Sequence, residues 1–252
     1  MKLRKLNHLP SGRDEWLIPK EALISVAILE TFNPESRLLI ECGVLNGAYT
    51  LNILKNVLGS TAIGIDPFPN MSKLKARMLA RMSGLKFDLL DSWNELNLSK
   101  QKASLIHIDG LHTEDAVYND LVKATIHLHE GGVIVCDDYC QSIFPGVAIG
   151  YSKFILNFEY IPFLCTGSKA YICETRYHQS WLTRCTEALS MQSIIPWARH
   201  LGEGEDTPYV SMPLIKGYPT LLSWDYARAS STSDLLPVWP EQPPTNLIQL
   251  KD

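Results

Sequence analysis

The chain has 252 residues, of which 46% are hydrophobic, 20% charged and 9% aromatic, enough apolar material for one large core or a core with a small appendage. A formal net charge of −4 gives no global positive field for phosphate backbones, so nucleic acid is not an expected partner. The basic start Met1-Lys2-Leu3-Arg4-Lys5-Leu6 runs into Asn7, His8 and Pro10 where a signal peptide needs its apolar core, and no apolar run reaches the roughly 18 residues of a membrane span, so no export, no membrane partner and a cytoplasmic location are expected.

The first predicted element is a helix over Lys20 to Glu30, opened by Pro19 and stopped by Asn33-Pro34, acting as a lid or packing helix. From Leu38 onward short apolar runs alternate with longer helical stretches, the pattern of a parallel sheet with crossover helices. Strands are expected at Leu38 to Cys42, Thr61 to Asp66, Leu85 to Leu89, Ala103 to Asp109 and Gly132 to Asp137. Helices are expected at Tyr49 to Leu58, Met71 to Met82 and Glu114 to His129, the last carrying Val117, Leu121, Ala124 and Leu128 on one face and ending in a Glu130-Gly131-Gly132 cap. Tyr160 to Cys165 and Ala170 to Cys173, joined by Thr166-Gly167-Ser168-Lys169, read as an antiparallel hairpin closing the sheet.

The predicted fold is therefore α/β, a Rossmann-like, doubly wound, mostly parallel seven-stranded sheet with a C-terminal antiparallel hairpin. The chain divides into an N-terminal helical segment (1–33), a ligand-binding domain (34–174) and a C-terminal extension (175–252). Beyond Glu174 the periodicity is lost among scattered aromatics such as Trp181, Trp197 and Trp239 and a proline-rich stretch from Pro237 to Pro244. That extension could cover the site, mediate homo-oligomerisation or wrap the sheet. Six cysteines without C-x-x-C spacing read as small buried hydrophobes in a reducing compartment.

Ligands of open α/β sheets bind beyond the carboxyl ends of the strands, which focuses attention on the residues closing each strand. After the first strand, Gly43 and Gly47 allow a tight turn and close backbone approach, and lead into a helix N-terminus that favours a carboxylate. Asp66, closing the second strand, is placed to accept hydrogen bonds from ribose hydroxyls. A plain strand-to-helix loop would show the same glycines. A pyrophosphate-binding G-x-G-x-x-G is absent, since Leu45 and Ala48 stand where its second and third glycines would be.

Asp109 ends the fourth strand and Asp137 with Asp138 the fifth, so three carboxylates are expected at one rim. Like charges need compensation, and a hard divalent cation such as Mg²⁺ on Asp109, Asp137 and Asp138 supplies it. The alternative is that Asp138 caps the following segment or pairs with a base while Asp109 orients substrate without metal. His112, three residues after Asp109 and just before a helix that Thr113 could cap, faces the same rim and is suited to accept a proton near neutral pH. His107, within the strand, reads as structural, and His127 and His129 as surface residues.

Glu41-Cys42-Gly43-Val44, with Gly47 and Asp66, resembles the first motif of the class I S-adenosylmethionine-dependent methyltransferases. Together with Ile108-Asp109-Gly110-Leu111-His112 and Gly131-Gly132-Val133-Ile134-Val135-Cys136-Asp137-Asp138-Tyr139, it is similar to the macrocin O-methyltransferase family over roughly Pro34 to Phe154. The resemblance implies S-adenosylmethionine bound by Glu41, Gly43, Gly47, Asp66 and Asp109, with Asp91-Ser92 near the adenine. It further implies Mg²⁺ on the acidic rim, His112 and Asp109 as catalytic residues, and a small hydroxylated acceptor of sugar or natural-product type. N-methylation on the same fold, or cofactor binding without turnover, are the alternatives.

Overall fold

The computed structural model describes residues 19–67, 72–97, 102–190, 209–211, 214–222 and 247–249. The basic start of the chain and the Pro237 to Pro244 stretch lie outside the described residues, as do Trp197 and Trp239. Helix α1 (Pro19–Glu30) leads into β1 (Leu38–Cys42), α2 (Ala48–Asn56), β2 (Thr61–Ile65), α3 (Ser72–Met82), β3 (Phe87–Leu90), β4 (Ala103–Ile108), α4 (Glu114–His127) and β5 (Leu128–Cys136). Then follow α5 (Pro145–Asn157), β6 (Tyr160–Cys165), β7 (Ala170–Glu174) and α6 (His178–Ser190). The remaining described segments are short: β8 (Tyr209–Ser211), β9 (Leu214–Ile215), β10 (Tyr218–Pro219), β11 (Leu221–Leu222) and β12 (Leu247–Gln249).

The main sheet runs β12-β8-β11-β6-β7-β5-β4-β1-β2-β3, and β9 with β10 forms a separate antiparallel pair. The seven expected strands hold the middle and one end of the main sheet; β1 to β5 are parallel, and β7 runs antiparallel to both β5 and β6. The chain builds outward from β1 to β2 and β3, then crosses to β4 and β5, so the order reverses between β1 and β4. That switch point is where a crevice opens above the strand ends.

Alternation along the strands divides the core into two layers. Leu39, Leu105, Val133, Val135 and Tyr171 face α1, α2, α3 and α6; Ile40, Ile106, Ile108, Ile134 and Ile172 face α4 and α5. Each fully buried Leu or Ile contributes about 1.5–3 kcal/mol of transfer free energy, so both layers are substantial. α1 is a packing helix whose Ile24, Ile28 and Leu29 are buried. Its end is tied to the sheet by the Arg37 guanidinium, which donates to the carbonyls of Glu30, Phe32 and Leu58.

Three features depart from the expected elements. α4 ends at His127, and β5 starts at Leu128, ahead of the glycines expected to cap the helix. Pairing moves from Leu128 to Val133 while the partner advances only from Ala103 to Leu105, so the excess residues bulge, and Gly131 takes the positive φ of 71° that the bulge needs. α6, which sequence periodicity did not reveal, buries Trp181, Leu182 and Cys185, with the Trp181 indole donating to the Gly131 carbonyl at 3.0 Å. The residues after α6 extend the sheet: β11 pairs in parallel with β6 at Leu164 and Cys165, followed by β8 and β12. Thr113 does stand at the N-cap of α4, but its side chain makes no capping bond. All six cysteines are free; five are buried and Cys140 is exposed.

Candidate functional site

The loop after β1 is shaped by close backbone approach. Gly43 has φ 84°, and a Cβ there would sit 1.8 Å from the carbonyl oxygen of Asp109, so no larger residue fits. Gly47, φ 79°, precedes the first turn of α2, where the Asn46 side chain accepts from the Ala48 amide at 3.1 Å. Asp66 Oδ2 accepts from the amides of Val44 (2.8 Å) and Leu45 (3.0 Å), clamping the loop over the end of β2. The glycine loop and Asp66 are thus brought together, with one oxygen of Asp66 committed to the loop.

Beside this loop lies a cavity of about 670 Å³, within the size range of small-molecule sites. Gly43, Asp66, Asp91, Ser92 and Asp109 line it; Glu41 and Gly47 do not. Trp93 and Asp120, which sequence reading did not single out, also line it. The Trp93 indole donates to Asp120 Oδ1 at 2.9 Å, and the Cys42 thiol lies 3.4 Å from Asp120 Oδ2. Burial raises the Asp120 carboxyl above its ordinary value. The signal for Trp93 was its place directly after Asp91-Ser92; for Asp120, a polar residue one position before the buried Leu121 of α4. Two smaller cavities, about 590 and 430 Å³, run along β3 beside Arg77, Phe87 and Asp88 and contain none of the expected site residues.

At its far end the cavity meets a rim cluster through Asp109. His112 Nε2 lies 3.5 Å from Asp109 Oδ1 and 3.7 Å from Asp138 Oδ2, ion-pair distances longer than a hydrogen bond. This nitrogen is buried yet has no hydrogen-bond partner. Its ring rests against Phe144, centroids 4.1 Å apart. The Asp109 carboxylate holds the His112 pKa above its ordinary value against the opposing effect of burial. Asp138 is pushed up to about 6 by burial and by the neighbouring charges of Asp137 and Asp109.

Asp137 belongs to a different group. Strand alternation carries Glu41, His107, Asp137 and Lys169 to the face beneath α1 and α2. Lys169 Nζ donates to Asp137 Oδ2 and to His107 Nε2 (3.2 Å), and stands 5.3 Å from the centre of the Tyr49 ring. An ammonium has only protons to give, so His107 Nε2 is the acceptor and the ring proton sits on Nδ1, 3.5 Å from Glu41 Oε1. Tyr49 stacks on His107 at 3.9 Å, and its hydroxyl shares a hydrogen bond of 2.6 Å with Ser25. Burial pushes the Glu41 carboxyl up; Asp137 is held well below the usual carboxylate range, Lys169 and His107 outweighing its burial. His127 and His129 are half-buried, His127 stacking on Trp93 and His129 meeting the edge of Phe32.

Among the described residues, two sets of donors lie close enough to share a metal ion: His107, Asp109 and Asp137, and Asp109, His112 and Asp138. Neither contains Asp109, Asp137 and Asp138 together. In the first set the Lys169 ammonium already sits where a cation would act. The second has two partly exposed carboxylates around an orphaned buried nitrogen, and its donors fit a divalent cation.

Among known proteins, the family model described as a methyltransferase domain matches residues 40–139. No curated protein matches the chain significantly in sequence. Among solved structures, the chain is similar to an O-methyltransferase from Bacillus cereus in complex with SAH (TM-score 0.51, 14% identity, 62% of this chain and 80% of that one). It is also similar to cofactor-bound Rv0187 from MTB (0.51, 13%, 64% and 83%). A third is CalS11, a TDP-rhamnose 3'-O-methyltransferase of calicheamicin biosynthesis (0.50, 16%, 61% and 76%). At such identities the likeness is one of fold. The family match spans the glycine loop, Asp66 and the acidic rim, so the chain carries a methyltransferase-like domain over residues 40–139 and shares the fold of these methyltransferases.

Proposed function

We propose that the chain methylates a hydroxyl of a small molecule of sugar or natural-product type, with His112 as the proton acceptor. The observation that carries this reading is the position of Asp109, which both lines the cavity and faces His112 Nε2. S-adenosylmethionine, when bound, supplies a methyl carbon made electrophilic by its sulfonium and leaves as the neutral thioether.

The chain's own residues have two tasks, positioning and proton removal. Gly43 and Gly47 open the loop toward the α2 N-terminus for the amino-acid end of the cofactor, while Asp66, Asp91 and Ser92 serve its nucleoside end beside Trp93. Glu41 acts from beneath, through His107. His112 Nε2 takes the hydroxyl proton as the new C–O bond forms, and Asp109 stabilises the resulting imidazolium. Asp109 and Asp138 would hold a divalent cation such as Mg²⁺, which would lower the pKa of an acceptor hydroxyl. Asp137 is withheld from that role by Lys169. Residues 34–174 form the catalytic domain in this reading, with 1–33 and 175–252 shaping acceptor choice. The buried free thiols fit a reducing cytoplasm. The fit of TDP-rhamnose chemistry to CalS11 makes sugar hydroxyls the first acceptors to try.

The test is His112→Ala, with S-adenosylhomocysteine release measured over a panel of hydroxylated acceptors. Turnover should fall by about 10²–10⁴-fold, the usual worth of a positioned base, while affinity for S-adenosylhomocysteine by calorimetry stays near native. Near-native turnover in this variant would remove His112 as the base.

A further inference from the structure

We infer that Lys169 is a positioning residue for the reaction, fixing Asp138 through Asp137. The inference rests on the proposed function, which puts Asp138 on the reacting side of the rim. It starts from a contrast between neighbours. Asp137 Oδ2 accepts from the buried Lys169 ammonium, while Asp137 Oδ1 accepts from the backbone amide of Asp138 at 2.8 Å. One carboxylate therefore joins the lysine to the Asp138 backbone. At that point the backbone of Asp138 turns to φ 54°, a left-handed conformation that a non-glycine residue holds only when its surroundings impose it. The turn sends the Asp138 carboxylate toward His112, 3.7 Å from Nε2.

Lys169 is itself held tightly. It closes the β6–β7 turn, where its amide donates to Thr166 Oγ1 at 3.0 Å and its carbonyl accepts from the Thr166 amide at 2.8 Å. The same turn reaches back to the end of β5, Ser168 O accepting from the Tyr139 amide at 3.2 Å. His107 and the Tyr49 ring then fix the ammonium from two further directions. The hairpin thus carries a rigid cation to the base of the rim. Removing that cation frees Asp137 to change rotamer, releases the Asp138 amide, and lets Asp138 relax out of its left-handed turn.

The experiment compares native protein with Lys169→Met and with the double variant Lys169→Met/Asp137→Asn, which removes both charges and keeps the fold testable if the single variant is too unstable. Amide hydrogen exchange of Asp138 is read well below the melting temperature, with Val133 to Val135 as internal reference. Exchange at Asp138 should accelerate at least about 10-fold in either variant while the reference amides stay protected. Turnover should fall at least about 10-fold with S-adenosylhomocysteine affinity unchanged. Unchanged exchange at Asp138 in a folded variant overturns the inference, as does accelerated exchange with native turnover. Failure of the functional reading is distinguishable, because full activity in His112→Ala would sink that reading while leaving the exchange result to stand or fall alone.

Discussion

On one side of the strand ends, Glu41, His107, Asp137 and Lys169 are sealed beneath α1 and α2, their side chains 1–14% exposed. On the other, Asp109, His112 and Asp138 are 19–36% exposed and approach one another only at 3.5–3.7 Å. The two groups have similar composition, a histidine among carboxylates, and differ in whether a cation is built in. The inner group contains its own, Lys169, which donates to Asp137 Oδ2 and His107 Nε2, although His107 Nδ1 and Glu41 Oε2 have no hydrogen-bond partner. The outer group lacks one, leaving a buried nitrogen unpartnered and a carboxyl raised to about 6. A sealed group with its own cation supports structure; a more exposed one without it is open to substrate or ion.

That division can be broken by experiment. The largest stability effect is expected from His107→Ala, which strips Lys169 and Glu41 of a partner and unstacks Tyr49. Chemical denaturation should show a loss of about 3–5 kcal/mol, the scale for breaking a buried polar pair, whereas His112→Ala should lose far less. Equal losses would erase the distinction between the two groups. Next in size, chelation by EDTA should lower turnover by about 10²-fold, restored by added Mg²⁺, with the melting temperature moving little; full activity in EDTA would remove the metal from the outer group.

The smallest effect tests Asp120, which lines the cavity and has a carboxyl raised by burial. A folded-state pKa above the unfolded one contributes stability that is complete below the unfolded value, about 3.9, and is lost as pH rises through the folded value. Asp120→Asn keeps an acceptor for Trp93 but does not titrate. The melting temperature of native protein minus that of this variant should therefore decrease as pH is raised from about 4 to neutrality. An increase would show that Asp120 is stabilised as the anion.

Much of this arrangement was readable from the chain alone. Strand periodicity located β1, β2 and β4 to within a residue or two, and the residues closing them, Asp66 and Asp109, do meet at one cavity. Alternation also contained the fate of Asp137 and Asp138, since consecutive residues leave a strand on opposite faces; grouping them by charge obscured it. Lys169 was less accessible, because its partner lies 32 positions earlier and only the β6–β7 hairpin brings it there. The bulge in β5 hid a helix boundary, since Gly131 serves equally as a helix cap and as a strand irregularity. α6 escaped because Trp181, Leu182 and Cys185 form a short apolar patch among polar residues.

The ten-stranded sheet has a consequence for how the chain is made. Every residue of the rim and its buried support is synthesised by Lys169, yet the strand that pairs with the outer side of β6 comes from Leu221 and Leu222. Until that segment leaves the ribosome, the amides and carbonyls at Leu164 and Cys165 face outward, the condition under which one nascent chain can add to another. Leu221 and Leu222 thus cover backbone groups of β6 that would otherwise be open to pairing with another chain.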